Sequence, residues 1–169
     1  MFKALPMLAG ASGVLLVATG VALAQQLTVD MNSISESGVG DKVGTVVLSG
    51  GKKGVSFKVS VKNVPPGKHG FHVHDKGDCA SAAKDGKMTA GLAAGPHYDP
   101  DSAKSHKGPT GKGHKGDLPV LTATAKGINQ TVRAPRLNLS VVQGRALMIH
   151  EGGDNYSDTP ENGGGKGRI

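Results

Sequence analysis

The sequence predicts an all-β fold of antiparallel strands, on three observations. Short stretches alternate apolar and polar residues with the two-residue period of a half-buried strand, most clearly Val55-Ser56-Phe57-Lys58-Val59-Ser60-Val61-Lys62. Glycine is abundant, at 27 of 169 residues, which supplies many turns. From Gln25 onward, no stretch sustains the 3.6-residue apolar period of an amphipathic helix.

Taken in order, residues 1–24 read as a secretory signal peptide. They carry a single charge, Lys3, then an apolar run through Leu15, Leu16 and Val17, then Ala22-Leu23-Ala24 immediately before Gln25, an A-x-A cleavage pattern. The apolar run is too short and too rich in Gly and Ala for a membrane span, and no later segment approaches the roughly 20 apolar residues that a spanning helix needs. No cysteine stands directly after it, at the cleavage position, to take a lipid anchor. The expectation is an exported, periplasmic protein with no stable membrane anchor, whose residues 25–169 form one domain.

Leu27-Thr28-Val29-Asp30-Met31 is the first alternating strand and Val55–Lys62 the next, with Gly50-Gly51 and Pro65-Pro66-Gly67 as turns. Gly70-Phe71-His72-Val73-His74 reads as a strand that puts both imidazoles on one face and Phe71 and Val73 on the other. From Gly77 to Asp117 the pattern gives way to Gly, Pro, Asp and Lys. A loop of this length is uncommon in a compact domain unless it is functional. Leu121–Ala125 and Ala146-Leu147-Met148-Ile149 resume the strands, with Lys126-Gly127 as a turn, and a second glycine-rich segment runs from Gly152 to Gly167. With no Trp and only 3% aromatic residues, the core must come mainly from Val, Leu, Ile and Ala.

Removing residues 1–24 takes away only Lys3 of 20 basic side chains, leaving 19 against 13 acidic ones, a net charge of +6. That is basic, but Lys104, Lys107, Lys112 and Lys115 come without the stacking aromatics of a nucleic-acid module, and they read as solvated loop charge. Cys79 is the only cysteine, so no intramolecular disulfide is expected.

The chemistry lies in the histidines. Of seven, six fall in one series with an aspartate: His72, His74, His97, His106, His114, Asp117 and His150. A list rich in imidazole and free of thiolate suits copper(II) and zinc better than an iron–sulfur cluster or an all-cysteine zinc knot. His97, His106, His114 and Asp117 together offer three nitrogens and one oxygen, the donor set of a closed tetrahedral zinc site.

Four motifs carry a resemblance: Gly-Phe-His-Val-His (70–74), Ala-Gly-Pro-His-Tyr-Asp-Pro (94–100), His-Lys-Gly-Asp-Leu-Pro (114–119) and Leu-Met-Ile-His-Glu-Gly-Gly-Asp-Asn (147–155). Over roughly Val43 to Arg168 the chain resembles the copper/zinc superoxide dismutase family, in its bacterial exported branch. The resemblance implies a Greek-key antiparallel β-sandwich or barrel, Ig-like in type, with long metal-binding and glycine-rich loops. It implies copper on His72, His74, His97 and His150, and zinc on His97, His106, His114 and Asp117, with His97 bridging. It implies that Asp154 holds copper-side and zinc-side imidazoles together, that His69 is structural, and that His97 and Arg168 are the catalytic residues, Arg168 attracting the anion above the copper channel. Superoxide is the implied substrate, converted to oxygen and hydrogen peroxide as copper is alternately reduced and oxidised. The family contains monomers and dimers, so a homodimer is one arrangement that the resemblance allows.

The resemblance also implies a cysteine in an Ala-Cys-Gly-type final strand as partner for Cys79, and this sequence reaches Ile169 without it. The expectations are a less stable metal-free protein and an exposed strand edge; for Arg168 the role above the copper channel is the expectation, with a solvated charge at a frayed terminus as its alternative. The alternative function is an exported copper- and zinc-binding protein with little turnover.

Overall fold

The structure, a computed structural model, describes residues 25–160 and 164–169. The signal peptide expected over 1–24 lies outside the described residues. The strands are β1 (Gln26–Ser35), β2 (Gly38–Gly51), β3 (Gly54–Val61), β4 (Gly67–His69), β5 (Phe71–His74), β6 (Ala82–Lys84), β7 (Lys87–Thr89), β8 (Leu121–Ala123), β9 (Ile128–Ala134) and β10 (Ala146–Ile149). Every pairing between them is antiparallel, as the alternation predicts.

β1, β2, β3 and β9 form a four-stranded sheet in that order, and β10–β5, β4–β8 and β6–β7 form two-stranded ladders. Because successive side chains of a strand point to opposite faces, β3 buries Val55, Phe57, Val59 and Val61 while Lys58 and Ser60 face solvent. Val46 and Leu48 of β2, Phe71 and Val73 of β5, and Leu118 and Leu121 complete a core that is wholly shielded from solvent. Phe57 of the large sheet meets Phe71 of β5 edge to face, with ring centroids 5.8 Å apart. That contact fixes the histidine strand against the sheet.

Three expectations shift in detail. Gly50-Gly51 belongs to β2, and the hairpin turns at Lys52-Lys53 instead. One short helix, α1 (Leu139–Val142), does form, because the Asn138 side chain accepts a hydrogen bond from Val141 N and Leu139 and Val142 face the core. The Gly77–Asp117 segment holds the β6–β7 hairpin and a 3-10 turn at Leu92–Ala94, so it is less irregular than its composition suggests. Cys79 is half-buried and unpaired, packed with Ile34 against Ala94, Ala146 and Met148. The sheet order leaves β1 paired on one side only, and a cavity of about 240 Å³ opens beside it, lined in part by Met31, Val43, Val64, Ile149 and Ile169.

Candidate metal centre

β5 organises the site. Its one edge pairs with β10, setting Met148 opposite His72 and Ala146 opposite His74, so that the chain delivers His150 just beyond the ladder. Its other side takes the loop segments: Val73 N donates to Gly116 O, Tyr98 N donates to Val73 O, and Leu118 N donates to Phe71 O. These bonds lay His97 beside His74 and Asp117 beside His72 as isolated bridges. A strand of four residues thus gathers groups from three distant parts of the chain.

The outcome is two four-residue clusters. His72, His74, His97 and His150 each offer a ligand atom, all within 4.8 Å of one another, and so do His97, His106, His114 and Asp117. His97 belongs to both. Its ring stacks on His72 at 3.8 Å between centroids and lies edge-on to His74 at 4.8 Å, while its Nδ1 is 3.1 Å from His106 Nε2 and 3.5 Å from Asp117 Oδ1.

In the first cluster the outward ring nitrogens are already engaged. His72 Nε2 donates to Asp154 Oδ2 at 2.7 Å, His74 Nδ1 to Gly95 O at 2.8 Å, and His150 Nδ1 to Lys166 O at 3.1 Å. An outer acceptor of this kind fixes the tautomer, leaving the other nitrogen with a lone pair directed inward. Accordingly His74 Nε2 and His150 Nε2 face each other at 3.4 Å. His72 Nδ1, His114 Nδ1 and Asp117 Oδ1 are buried without a hydrogen-bond partner among the described residues. Buried polar atoms left unpaired cost about 1–3 kcal/mol each, so three of them converging on two clusters fit donors that a metal ion completes.

Electrostatics point the same way. Burial, with the neighbouring imidazoles adding to it, lowers His74 to about 2 and His150 to about 4, and holds His72 well below the usual histidine range. Burial also lowers His97, against the opposing pull of Asp117. For Asp117, burial works to raise the pKa, but the His114 and His97 rings, 3.4 and 3.5 Å from its Oδ1, outweigh it and keep the carboxyl well below its ordinary range. His114 is raised, chiefly by the Asp117 carboxylate beside it, 3.4 Å away. At neutral pH the first cluster is therefore a set of uncharged imidazoles, the form that binds metal.

All seven residues of the series are brought together, while His69 stands outside. It is buried, with its two ring nitrogens 2.7 Å from His150 O and Pro65 O, so it ties β4 to the end of β10. Arg168 is held rather than frayed: it is half-buried, its guanidinium donates to Gly91 O and Gly95 O, and one nitrogen lies 3.2 Å from His74 Nδ1. Asp154 reaches only one imidazole. Its Oδ2 is on His72 and its Oδ1 accepts from Tyr156 N at 2.6 Å, whereas the outward nitrogen of His106 goes to Asp158. The glycine run is explained by close approach, since a Cβ on Gly164 would lie 2.6 Å from His106 Nε2 and one on Gly165 would lie 2.7 Å from His150 Cβ. Sequence reasoning missed Asp158, and it missed Arg136, whose guanidinium donates to Gly113 O at 2.6 Å and His114 O at 3.2 Å.

A family model described as Copper/zinc superoxide dismutase (SODC) matches residues 42–169. The chain belongs to the copper/zinc superoxide dismutase family. It is 51% identical over 148 residues to the Superoxide dismutase [Cu-Zn] of Brucella abortus, covering 86% of each chain. To the Superoxide dismutase [Cu-Zn] of Escherichia coli K12 it is 46% identical over 155 residues, covering 90% of this chain and 89% of the relative. Its fold matches the Cu/Zn superoxide dismutase structure from Brucella abortus with a TM-score of 0.82 at 50% identity, over 85% of this chain and 96% of that one. The solution structure of the monomeric copper, zinc superoxide dismutase from Salmonella enterica gives 0.77 at 48%, over 86% and 96%. The chain is accordingly an enzyme, a superoxide dismutase with copper and zinc as cofactors, and the reading as a binding protein with little turnover is not favoured.

Proposed function

We propose that copper is held by His72, His74, His97 and His150, and zinc by His97, His106, His114 and Asp117, with His97 serving both. The sharing of His97 between two clusters carries this reading. Four imidazoles suit copper(II), while three nitrogens and a carboxylate suit a closed tetrahedral zinc site. When bound, copper supplies one-electron exchange with superoxide and zinc supplies a fixed positive charge.

The chain's own residues do the rest. Asp154, Gly95 O and Lys166 O fix three copper-side tautomers, so the inward lone pairs are set before metal arrives. Arg168 keeps a guanidinium charge against His74, where it attracts a small anion and orients it toward the copper-side cluster. The ligands all come from one chain, so the reading needs no second copy, and a homodimer would add nothing to either cluster.

The deciding experiment is superoxide dismutation by the purified protein after copper and zinc loading, with bound metal counted in the same sample. Copper-dependent turnover at about one copper and one zinc per chain is expected, and His97→Ala should abolish co-loading of the two sites. Independent loading of both metals by His97→Ala would refute the shared-ligand reading.

We also assign residues 1–24 as a signal for export to the periplasm and 25–169 as the enzyme domain, on the Ala22-Leu23-Ala24 pattern. Among the described residues no helix is long and apolar enough to cross a membrane. Mass spectrometry of protein from the periplasmic fraction should find Gln25 as the first residue, and an intact Met1 start there would contradict the assignment.

A further inference from the structure

We propose that Arg145 is a positioning residue for the copper-side cluster: its guanidinium fastens the residues that directly follow His74 and His97, and so fixes these two imidazoles relative to each other. This rests on the reading of His74 and His97 as copper ligands and adds to it a residue that the four motifs do not contain.

The guanidinium works through its face and its edge at once. Its carbon lies 3.8 Å from the centre of the Tyr98 ring, within cation–π range. Nη1 donates to Asp75 O and, at 2.8 Å, to Asp75 Oδ1, while Nε donates to Val141 O at 2.9 Å. Asp75 follows His74 and Tyr98 follows His97. Arg145 itself stands directly before β10, the strand that leads to His150. One side chain therefore meets the connections of three copper-side histidines.

Backbone bonds already tie the two ligand segments together, Asp75 N donating to Pro96 O at 3.0 Å and Tyr98 N to Val73 O at 2.8 Å. They set the spacing. The planar guanidinium, stacked on Tyr98 while it grips Asp75, sets the twist of one segment against the other, and so the edge-on arrangement of His74 and His97 at 4.8 Å. Lysine would keep the charge but has neither the plane nor the fork. Asp75 is about half exposed, and an ion pair so placed adds little stability by itself. The contribution of Arg145 accordingly lies in the geometry of the ligands more than in the stability of the fold.

The test uses the full chain, with wild type, Arg145→Met, Arg145→Lys and, as a reference, His74→Ala. Copper(II) and zinc affinities are measured by chelator competition, and the electron paramagnetic resonance spectrum of the copper-loaded protein reports ligand geometry. Arg145→Met is expected to lose about tenfold in copper affinity, to lose less in zinc affinity, and to show altered copper hyperfine splitting. Arg145→Lys, which keeps the charge and spares the fold if Arg145→Met does not fold, is expected to show the same spectral change with a smaller loss of affinity. A wild-type spectrum in Arg145→Lys overturns the proposal, because charge alone would then suffice. So does an affinity loss in Arg145→Met that is equal for both metals and leaves the spectrum unchanged, which would mark general loosening. If wild type binds copper no better than His74→Ala, the copper reading itself fails and takes this inference with it; tight wild-type binding with unaltered spectra in both variants removes only the role of Arg145.

Discussion

Asp154 Oδ2 lies 2.7 Å from His72 Nε2, and both side chains are wholly excluded from solvent. Burial raises the carboxyl above its ordinary range, so the pair is held by the hydrogen bond as much as by charge. Asp154→Asn replaces the acceptor by a weaker, neutral one that can also turn its amide toward the ring. Copper affinity is expected to fall about tenfold to hundredfold, read by chelator competition, with zinc affinity changed far less.

Arg168 contributes charge at a fixed place, so its removal should act on encounter with the anion. Arg168→Met is expected to lower kcat/KM by about tenfold and to flatten its dependence on ionic strength, with metal content unchanged. Stopped-flow rates over a salt series check this; a reduced rate that keeps the wild-type salt slope would refute the steering role.

The lowered histidines make the metal-free protein acid-sensitive. In the unfolded chain a histidine takes up its proton near pH 6.5, while folded His150 waits until about 4 and His74 until about 2. Between those values the unfolded state binds more protons, so stability rises with pH up to about 6.5, by about 1.4 kcal/mol per pH unit for each such histidine. His114, raised by Asp117, works in the opposite direction but is one group against His72, His74, His97 and His150. Denaturant midpoints of metal-free protein should fall from pH 7 to pH 5. Equal midpoints would contradict the buried, neutral state of these rings.

Arg136 anchors the His114 loop through two carbonyls. Arg136→Ala leaves Gly113 O and His114 O without this donor and is expected to destabilise the zinc-loaded protein by about 1–2 kcal/mol, seen as a lower unfolding midpoint.

Phe57→Ala opens a cavity behind β5. A loss of about 3–5 kcal/mol in urea unfolding is expected, with metal stoichiometry retained in the fraction that folds. A loss below 1 kcal/mol would mean that the Phe57–Phe71 contact does not seat the strand.

The alternation in Val55–Lys62 and the spacing of His72 and His74 were legible because each is a local rule: a strand repeats every two residues, and a ligand pair at i and i+2 shares a face. The composition of the donor list likewise announced the metals. What stayed hidden depends on contacts between remote segments. Nothing near Asp158 marks it as a partner of His106, since Ser157-Asp158-Thr159-Pro160 reads as an ordinary turn, and Arg136 follows a proline in a connection with no periodicity. Arg168 looked prone to fray because it stands next to Ile169, the last residue of the sequence, yet its hold comes from Gly91 and Gly95, more than 70 residues away. The one-turn helix α1 was too short to leave a periodic signal; its cap, Asn138, was its only mark.

β5 is a small platform that later parts of the chain must reach. His72 waits for Asp117, 45 residues on, for His150 and for Asp154, which lies 82 residues away, and none of these contacts can form while those stretches are still being made. Contacts so distant along the chain close late in folding, after the local hairpins. A nascent or half-threaded chain therefore has strands and a growing core but no place to keep two metals, and the catalyst comes into being only when the last quarter of the polypeptide has docked.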